Sequence, residues 1–361
     1  MRIRTTNLLV QNKIMQVKTK YIVLGAMAGS SMDGIDLSLV EFENQGGWQF
    51  KVVSCNTIPY EKDLYERLSY AKTKSRQVQE ALHAEFGDWI GITIKDFLDG
   101  MVPDLLAVHG HTLIHAPEEG ISWQLGDGQR IASRTGVPTI TEFRSQDVSI
   151  GGQGAPLVPL GDFELFRSYD ACLNLGGIAN VSVLESKTAW DICPCNQVLN
   201  FYSNKIGRPF DSEGAVAQSG QLDASFISEL EEILFFKMQA PKSLPNDFLP
   251  NALLEKVDPI IGLRSYTEFI ALQLAKDLRQ ATPGRLLVTG GGAFNEFMVS
   301  RIKDLLAGWE VVIPNDQIIS FKEALIFAFL GLKRFRGEIN VLGSVTGATA
   351  DSCSGLIHFP E

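Results

Sequence analysis

Apolar residues fill 22–27, small and polar residues fill 28–34, and Ile35, Leu37 and Leu39 then alternate with Asp36 and Ser38. This pattern predicts a strand, a tight turn and a second strand, a hairpin with one buried face. Residues 48–57 continue as a third strand of an antiparallel meander. Gly29 and Gly34 free the turn's backbone, and Ser30 and Ser31 leave amide N–H groups uncovered. The turn therefore reads either as a plain hairpin or as a cradle for an oxyanion such as a phosphate.

Helical periodicity follows at 61–73 and 76–99, where Val78, Leu82, Phe86, Ile90 and Phe97 form one stripe. A buried strand at 105–108 ends in His109 and His111, and ligands gather where such strands end. Residues 123–128 read as a turn, 129–135 as a short helix and 137–140 as a strand. Glu142, Arg144 and Asp147 come next, and the glycines and prolines of 151–159 suit a hinge between domains. The opening pattern then returns: a strand at 171–175, the turn Gly176-Gly177 and a strand at 181–185. The two copies start about 150 residues apart, one domain length.

Asp191 falls at an expected strand-to-helix turn, before helices at 197–206, 222–239 and 264–281. Residues 285–289 form a buried strand, Gly290, Gly291 and Gly292 let a ring or phosphate approach the backbone, and Asn295 opens a helix. A last strand at 311–313 precedes Glu323, expected in the first turn of an apolar helix at 324–335.

Composition adds bounds. A chain of 361 residues exceeds one typical core. A net charge of −10 argues against a nucleic-acid surface as the main business. No apolar run reaches membrane-spanning length. Residues 1–20 lack a signal-peptide pattern and read as a disordered extension, with Met15 an alternative start. Five scattered cysteines point to a reducing cytoplasm rather than a disulfide framework. Neither glycine turn matches a Walker or Rossmann motif. His109, His111 and His115 invite a metal reading, against which stands the absence of a carboxylate-rich motif to complete the site.

Six segments, in order, carry a resemblance: Gly-Ser-Ser-Met-Asp-Gly-Ile-Asp at 29–36, His-Gly-His-Thr at 109–112, Gly-Gly-Gln-Gly-Ala-Pro-Leu-Val-Pro at 151–159, Asn-Leu-Gly-Gly-Ile-Ala-Asn at 174–180, Gly-Gly-Gly-Ala-Phe-Asn at 290–295 and Glu-Ala at 323–324. With them the chain resembles the anhydro-N-acetylmuramic acid kinases of the sugar kinase, Hsp70 and actin superfold. The resemblance implies an α/β fold of two RNase H-like, actin-like ATPase domains. Each is a mixed five-stranded sheet with flanking helices, around a central cleft. Domain I is expected at 21–165 plus 338–361 and domain II at 166–337.

The implied reaction opens 1,6-anhydro-N-acetylmuramic acid with water and phosphorylates O6 from ATP, in cell-wall recycling. By position, Asp191 and Glu323 look catalytic, with Asp191 as the base. Gly29, Ser30, Ser31, Asp33, Gly176, Gly177, Gly290, Gly291 and Gly292 look ATP-binding, and His109, Arg144, Asp147 and Asn196 substrate-binding. Asp33 would help orient a Mg²⁺ held mainly by ATP. The partners are then the sugar and ATP, with no nucleic acid and no membrane, and a homodimer is compatible with the sequence.

The chain departs from the family pattern after the base, where Asp-Thr-Gly-Pro-Gly-Asn becomes Asp191-Ile192-Cys193-Pro194-Cys195-Asn196. His111 stands where Gln is common and Glu142 where Asp is common. Two alternatives follow: an ATP-binding sensor or scaffold of the same fold, and a metal-dependent hydrolase using His109, His111 and His115.

Overall fold

A computed structural model describes residues 18–29, 32, 34–244 and 248–361. The expectations for the extension at 1–17, for Met15 and for Ser30, Ser31 and Asp33 lie outside these residues. The chain forms two compact units, Met1–Leu165 with Glu323–Glu361, and Phe166–Lys322.

In the first unit, β1 (Lys20–Met27), β2 (Gly34–Asn44) and β3 (Trp48–Pro59) form the expected meander, with Met27 opposite Asp36 beside the turn. β4 (Leu105–His109) joins β1 in parallel and β7 (Thr139–Thr141) joins β4 in parallel. The order is β3-β2-β1-β4-β7, extended by a sixth strand, β13 (Leu356–His358), antiparallel to β7. A separate ribbon, β5 (His111–Ala116) with β6 (Ile121–Leu125), replaces the turn expected at 123–128. Gly110 separates β4 from β5 because a Cβ there would sit 1.7 Å from the Leu125 carbonyl oxygen.

Both faces of β2 are buried, where one was expected. Ile35, Leu37 and Leu39 pack with Leu82, Phe86 and Ile90 of helix α1 (Arg76–Leu98). Phe42, on the other face, lies 5.5 Å ring to ring from Phe329 of a long helix, Asp316–Arg336. That helix begins well before 324, so Glu323 lies in its interior and not in a first turn where it would complement the dipole. It also moves the return to the first unit from 338 to Glu323. The reason is contact with β1 and β4: a Cβ on Gly25 would lie 1.8 Å from the Ala324 carbonyl oxygen, and one on Gly331 2.4 Å from Ala107 Cβ. The glycine-rich 151–159 stretch is likewise no hinge, since Gln153 N–H donates to Thr346 O at 2.8 Å and Gly154 N–H to Asp147 Oδ2 at 2.8 Å, all within this unit.

The second unit repeats the plan. β8 (Ala171–Leu175), β9 (Ile178–Val183) and β10 (Thr188–Pro194) form a meander, and β11 (Arg285–Thr289) and β12 (Glu310–Val312) continue from β8 in parallel. The order β10-β9-β8-β11-β12 matches the first five strands of the other sheet, pair for pair in direction. Both units therefore have the mixed five-strand order of an RNase H-like domain, the first with one added edge strand. The helix expected over 222–239 breaks into Ala224–Glu231 and Leu234–Lys237. The helix expected from 264 starts at Pro259, where Asp258 caps it by accepting from Ile260 N–H at 2.9 Å.

Gly25 tests the close helix contact. Gly25→Ala is expected to cost about 2 kcal/mol, the scale of overpacking against atoms that cannot give way. Thermal unfolding checks it, and an unchanged midpoint would mean that the helix does not approach β1 so closely.

Candidate functional site

The strand ends of the first unit gather His109, Arg144, Asp147 and Glu323. His109 closes β4 and is 3% exposed, its ring 4.7 Å from Phe327. Burial, reinforced by the Arg144 charge, holds its pKa well below the ordinary value, so the ring is neutral at pH 7. Its Nε2 then accepts a hydrogen bond from Arg144 Nε at 2.9 Å. Arg144 Nη1 donates to Gly154 O at 2.5 Å. Burial draws the guanidinium down to about 10, opposed by the Glu323 carboxylate nearby, and it stays charged at pH 7. Neutral imidazole, buried cation and helix carboxylate thus form one electrostatic group.

Two of the residues expected to touch substrate also hold parts of the protein in place. Asp147 is 0% exposed; Oδ1 accepts from Thr346 Oγ1 at 2.7 Å and Oδ2 from Gly154 N–H at 2.8 Å. Its carboxylate frames the 152–154 loop. Asn196, in the second unit, donates from Nδ2 to Leu175 O at 2.9 Å and from its backbone N–H to Gly176 O at 3.1 Å. It braces the glycine turn.

That brace belongs to a set of glycine backbones in the second unit. Cys195 N–H donates to Gly177 O at 2.7 Å, and Gln197 N–H to the same oxygen at 3.3 Å. Asn174 lies between the turn and the triglycine, with Oδ1 2.6 Å from where a Gly290 Cβ would stand and Nδ2 3.2 Å from a Gly176 Cβ. Gly290 has φ +81°, a conformation that favours glycine. Gly177 and Gly291 are exposed, and the nearest atom to a Gly291 Cβ is Asn196 Nδ2 at 3.8 Å. Open glycine backbone on two adjoining turns fits the phosphates and adenosine of a nucleotide. Gly29, at the opening turn, is described, while Ser30, Ser31 and Asp33 are not.

Asp191 lies within β10 rather than at a strand-to-helix turn, next to a bulge. It faces Asn180 across the pair, and Cys193, not Ile192, faces Ala179. The extra residue lets Ile192 and Cys193 both enter the core at 0% exposure and re-aims the neighbouring carboxylate. Asp191 caps no helix: Oδ2 accepts from Leu244 N–H at 2.8 Å and Ser243 Oγ at 3.2 Å. Burial pushes its carboxyl above the ordinary value, against the pull of those two donors. A half-buried carboxylate of raised basicity with one oxygen engaged suits a general base.

The histidines do not assemble as a metal site. Gly110 separates His109 from His111, His115 bonds to Ser122 Oγ at 3.1 Å, and no group of three metal-ligating side chains comes together among the described residues.

Sequence reasoning missed the residues that hold Asp191. Lys242 Nζ lies 3.1 Å from Asp277 Oδ2, with side chains 0% and 5% exposed. Lys242 sits in a loop without periodicity and gives no signal. Asp277 does: it ends a helix, where a negative charge opposes the dipole and calls for a cationic partner.

Known proteins resemble the chain along most of its length. The family model "Anhydro-N-acetylmuramic acid kinase" matches residues 21–360. Curated relatives bear the same name, among them the three that follow. That of Vibrio cholerae is 30% identical over 94% of this chain and 99% of its own length. That of Actinobacillus pleuropneumoniae is 31% identical over 94% and 99%, and that of Paramagnetospirillum magneticum 32% identical over 94% and 100%. Matched along nearly its whole length, with the glycine turns and Asp191 inside the matched span, the chain belongs to the anhydro-N-acetylmuramic acid kinase family.

Proposed function

We propose that the chain is an ATP-dependent kinase that opens the internal bridge of 1,6-anhydro-N-acetylmuramic acid with water and phosphorylates O6. The product, N-acetylmuramic acid 6-phosphate, belongs to peptidoglycan recycling. The observation that carries the reading is Asp191. Its Oδ2 is occupied by Leu244 and Ser243, its basicity is raised by burial, and Oδ1 makes no hydrogen bond among the described residues.

Asp191 removes a proton from the water that attacks C1. The water oxygen bonds to C1, the C1–O6 bond breaks, and O6 takes the γ-phosphoryl group as ADP leaves. Phosphoryl transfer thus replaces the general acid of an ordinary glycosidase. Arg144, steered by His109, and Glu323 orient the sugar in this reading. The backbones at Gly176, Gly177 and Gly290–Gly292 bind nucleotide, and Gly29 is assigned to phosphate. Bound Mg²⁺ neutralises phosphate charge during transfer. Among the described residues no helix is long and apolar enough to cross a membrane. The five free cysteines support placing the reaction in a reducing cytoplasm.

Purified protein with Mg-ATP and the anhydro sugar is expected to release ADP and form the 6-phosphate in equal amounts. ATP binding without sugar-dependent ADP would favour the sensor or scaffold.

Asp191→Asn should keep ATP binding while turnover falls roughly 10²- to 10⁴-fold, the span of general-base catalysis. A base works only when deprotonated, so a raised pKa moves the acid limb of kcat to higher pH. The limb is expected above the ordinary Asp value of 3.8 and to vanish in Asp191→Asn. Wild-type-like turnover in that variant would remove Asp191 as the base.

A further inference from the structure

We propose that the buried Lys242–Asp277 pair is a positioning device for Asp191, anchoring the Lys242–Leu244 segment along the edge of β10 so that one carboxylate oxygen is held and the other is left for the proton. The proposal rests on the reading of Asp191 as the base and adds what aims it.

β10 is the edge strand of its sheet, so its outer backbone groups need partners from elsewhere. The Lys242–Leu244 segment, without regular structure of its own, supplies one at Asp191. Asp191 N–H donates to Lys242 O at 2.9 Å, and Leu244 N–H returns to Asp191 Oδ2 at 2.8 Å. Ser243 Oγ adds a second donor to that oxygen at 3.2 Å. Three consecutive residues therefore determine where the carboxylate points, and the segment must itself be fixed.

Lys242 fixes it. Nζ reaches both Asp277 oxygens, at 3.1 and 3.2 Å, and lies 4.9 Å from the centre of the Phe235 ring. Asp277 ends the helix Pro259–Asp277, a rigid element packed on the same core. It also accepts from Trp190 Nε1 at 3.1 Å, gripping the residue next to Asp191 along β10. One carboxylate thus holds both the strand that bears the base and the segment that orients it.

Stability alone does not account for such a pair. Replacing a buried ion pair by apolar groups is often neutral or stabilising, whereas ion pairs retained inside a protein can specify one arrangement among several. Here the specified arrangement is the one that leaves Asp191 Oδ1 without a hydrogen bond among the described residues. Lys242 and Asp277 are positioning residues: they act on the sugar through Asp191.

The test is a double-mutant cycle on turnover in the full-length protein, with Mg-ATP and the anhydro sugar. Lys242→Met keeps the length of the stem and removes the charge. It should lower kcat about 10- to 100-fold, the scale of a misaimed catalytic group, with the KM for ATP unchanged. In the Asp191→Asn background the same change should cost nothing further, because the group it aims is already disabled. Equal losses with and without Asp191, or an unchanged kcat in Lys242→Met, overturn the proposal. Wild-type-like turnover in Asp191→Asn alone defeats instead the assignment of the base, which keeps the two failures apart. Should Lys242→Met not fold, Asp277→Asn, nearly identical in shape, takes its place in the same cycle with the same expected pattern.

Discussion

The helix Asp316–Arg336 meets the first sheet with no room for a methyl group, and much of the first unit follows from that contact. Glycine at 25 and at 331 lets backbone approach backbone or alanine where any side chain would collide. Closeness at those points brings Phe329 onto Phe42 and Trp48, and Phe327 onto His109 and Phe143. The sheet is thereby sealed on the face opposite α1. The same helix carries Glu323 near the buried Arg144, so the packing that builds the core also sets the charge environment of the candidate sugar site.

The second unit uses hydrogen bonds where the first uses close packing. Its Gly176-Gly177 turn is tied to the segment after β10 by backbone donors from Cys195, Asn196 and Gln197, and the Asn196 amide donates to Leu175 O just before that turn. The strand that bears Asp191 and the turn assigned to phosphate cannot move independently without breaking those bonds. Binding and proton abstraction would share a frame that is already assembled, which lowers the ordering needed when substrate arrives.

Hydrophobic pattern and turn chemistry made most of the architecture legible. The first meander and the second strand–turn–strand follow from apolar runs interrupted by Gly29 and Gly34, and by Gly176 and Gly177, while the five-stranded plan of both units was implied by the family resemblance. Pattern failed where tertiary contact overrides it. β2 looks one-faced because Ser38 interrupts its second face, yet Ser38 is itself 0% exposed beneath a long helix. The helix at 316–336 reads as starting late because Asp316, Gln317, Ser320, Lys322 and Glu323 interrupt the apolar residues of its first turns, whereas 324–330 is apolar throughout. Sequence singles out Asp191, Glu323 and the glycines as candidates for the site. For Asp147 and Asn196, expected as substrate contacts, sequence names a hydrogen-bonding side chain without naming the protein groups it also holds.

The departure after Asp191 has a physical reading on the same terms. Ile192, Cys193 and Cys195 all belong to the core of the second unit, where the family pattern has Thr, Gly and Gly. Burial pushes both thiols up, Cys195 to about 12, so neither is a reactive thiolate at neutral pH, and both behave as small apolar groups. A side chain in place of glycine also narrows the conformations open to the unfolded segment. The chain gives up a hydroxyl and two flexible positions beside the base and gains a segment anchored by packing. Asp191 then depends for its orientation on the opposite side, on Ser243, Leu244 and the ion pair behind them.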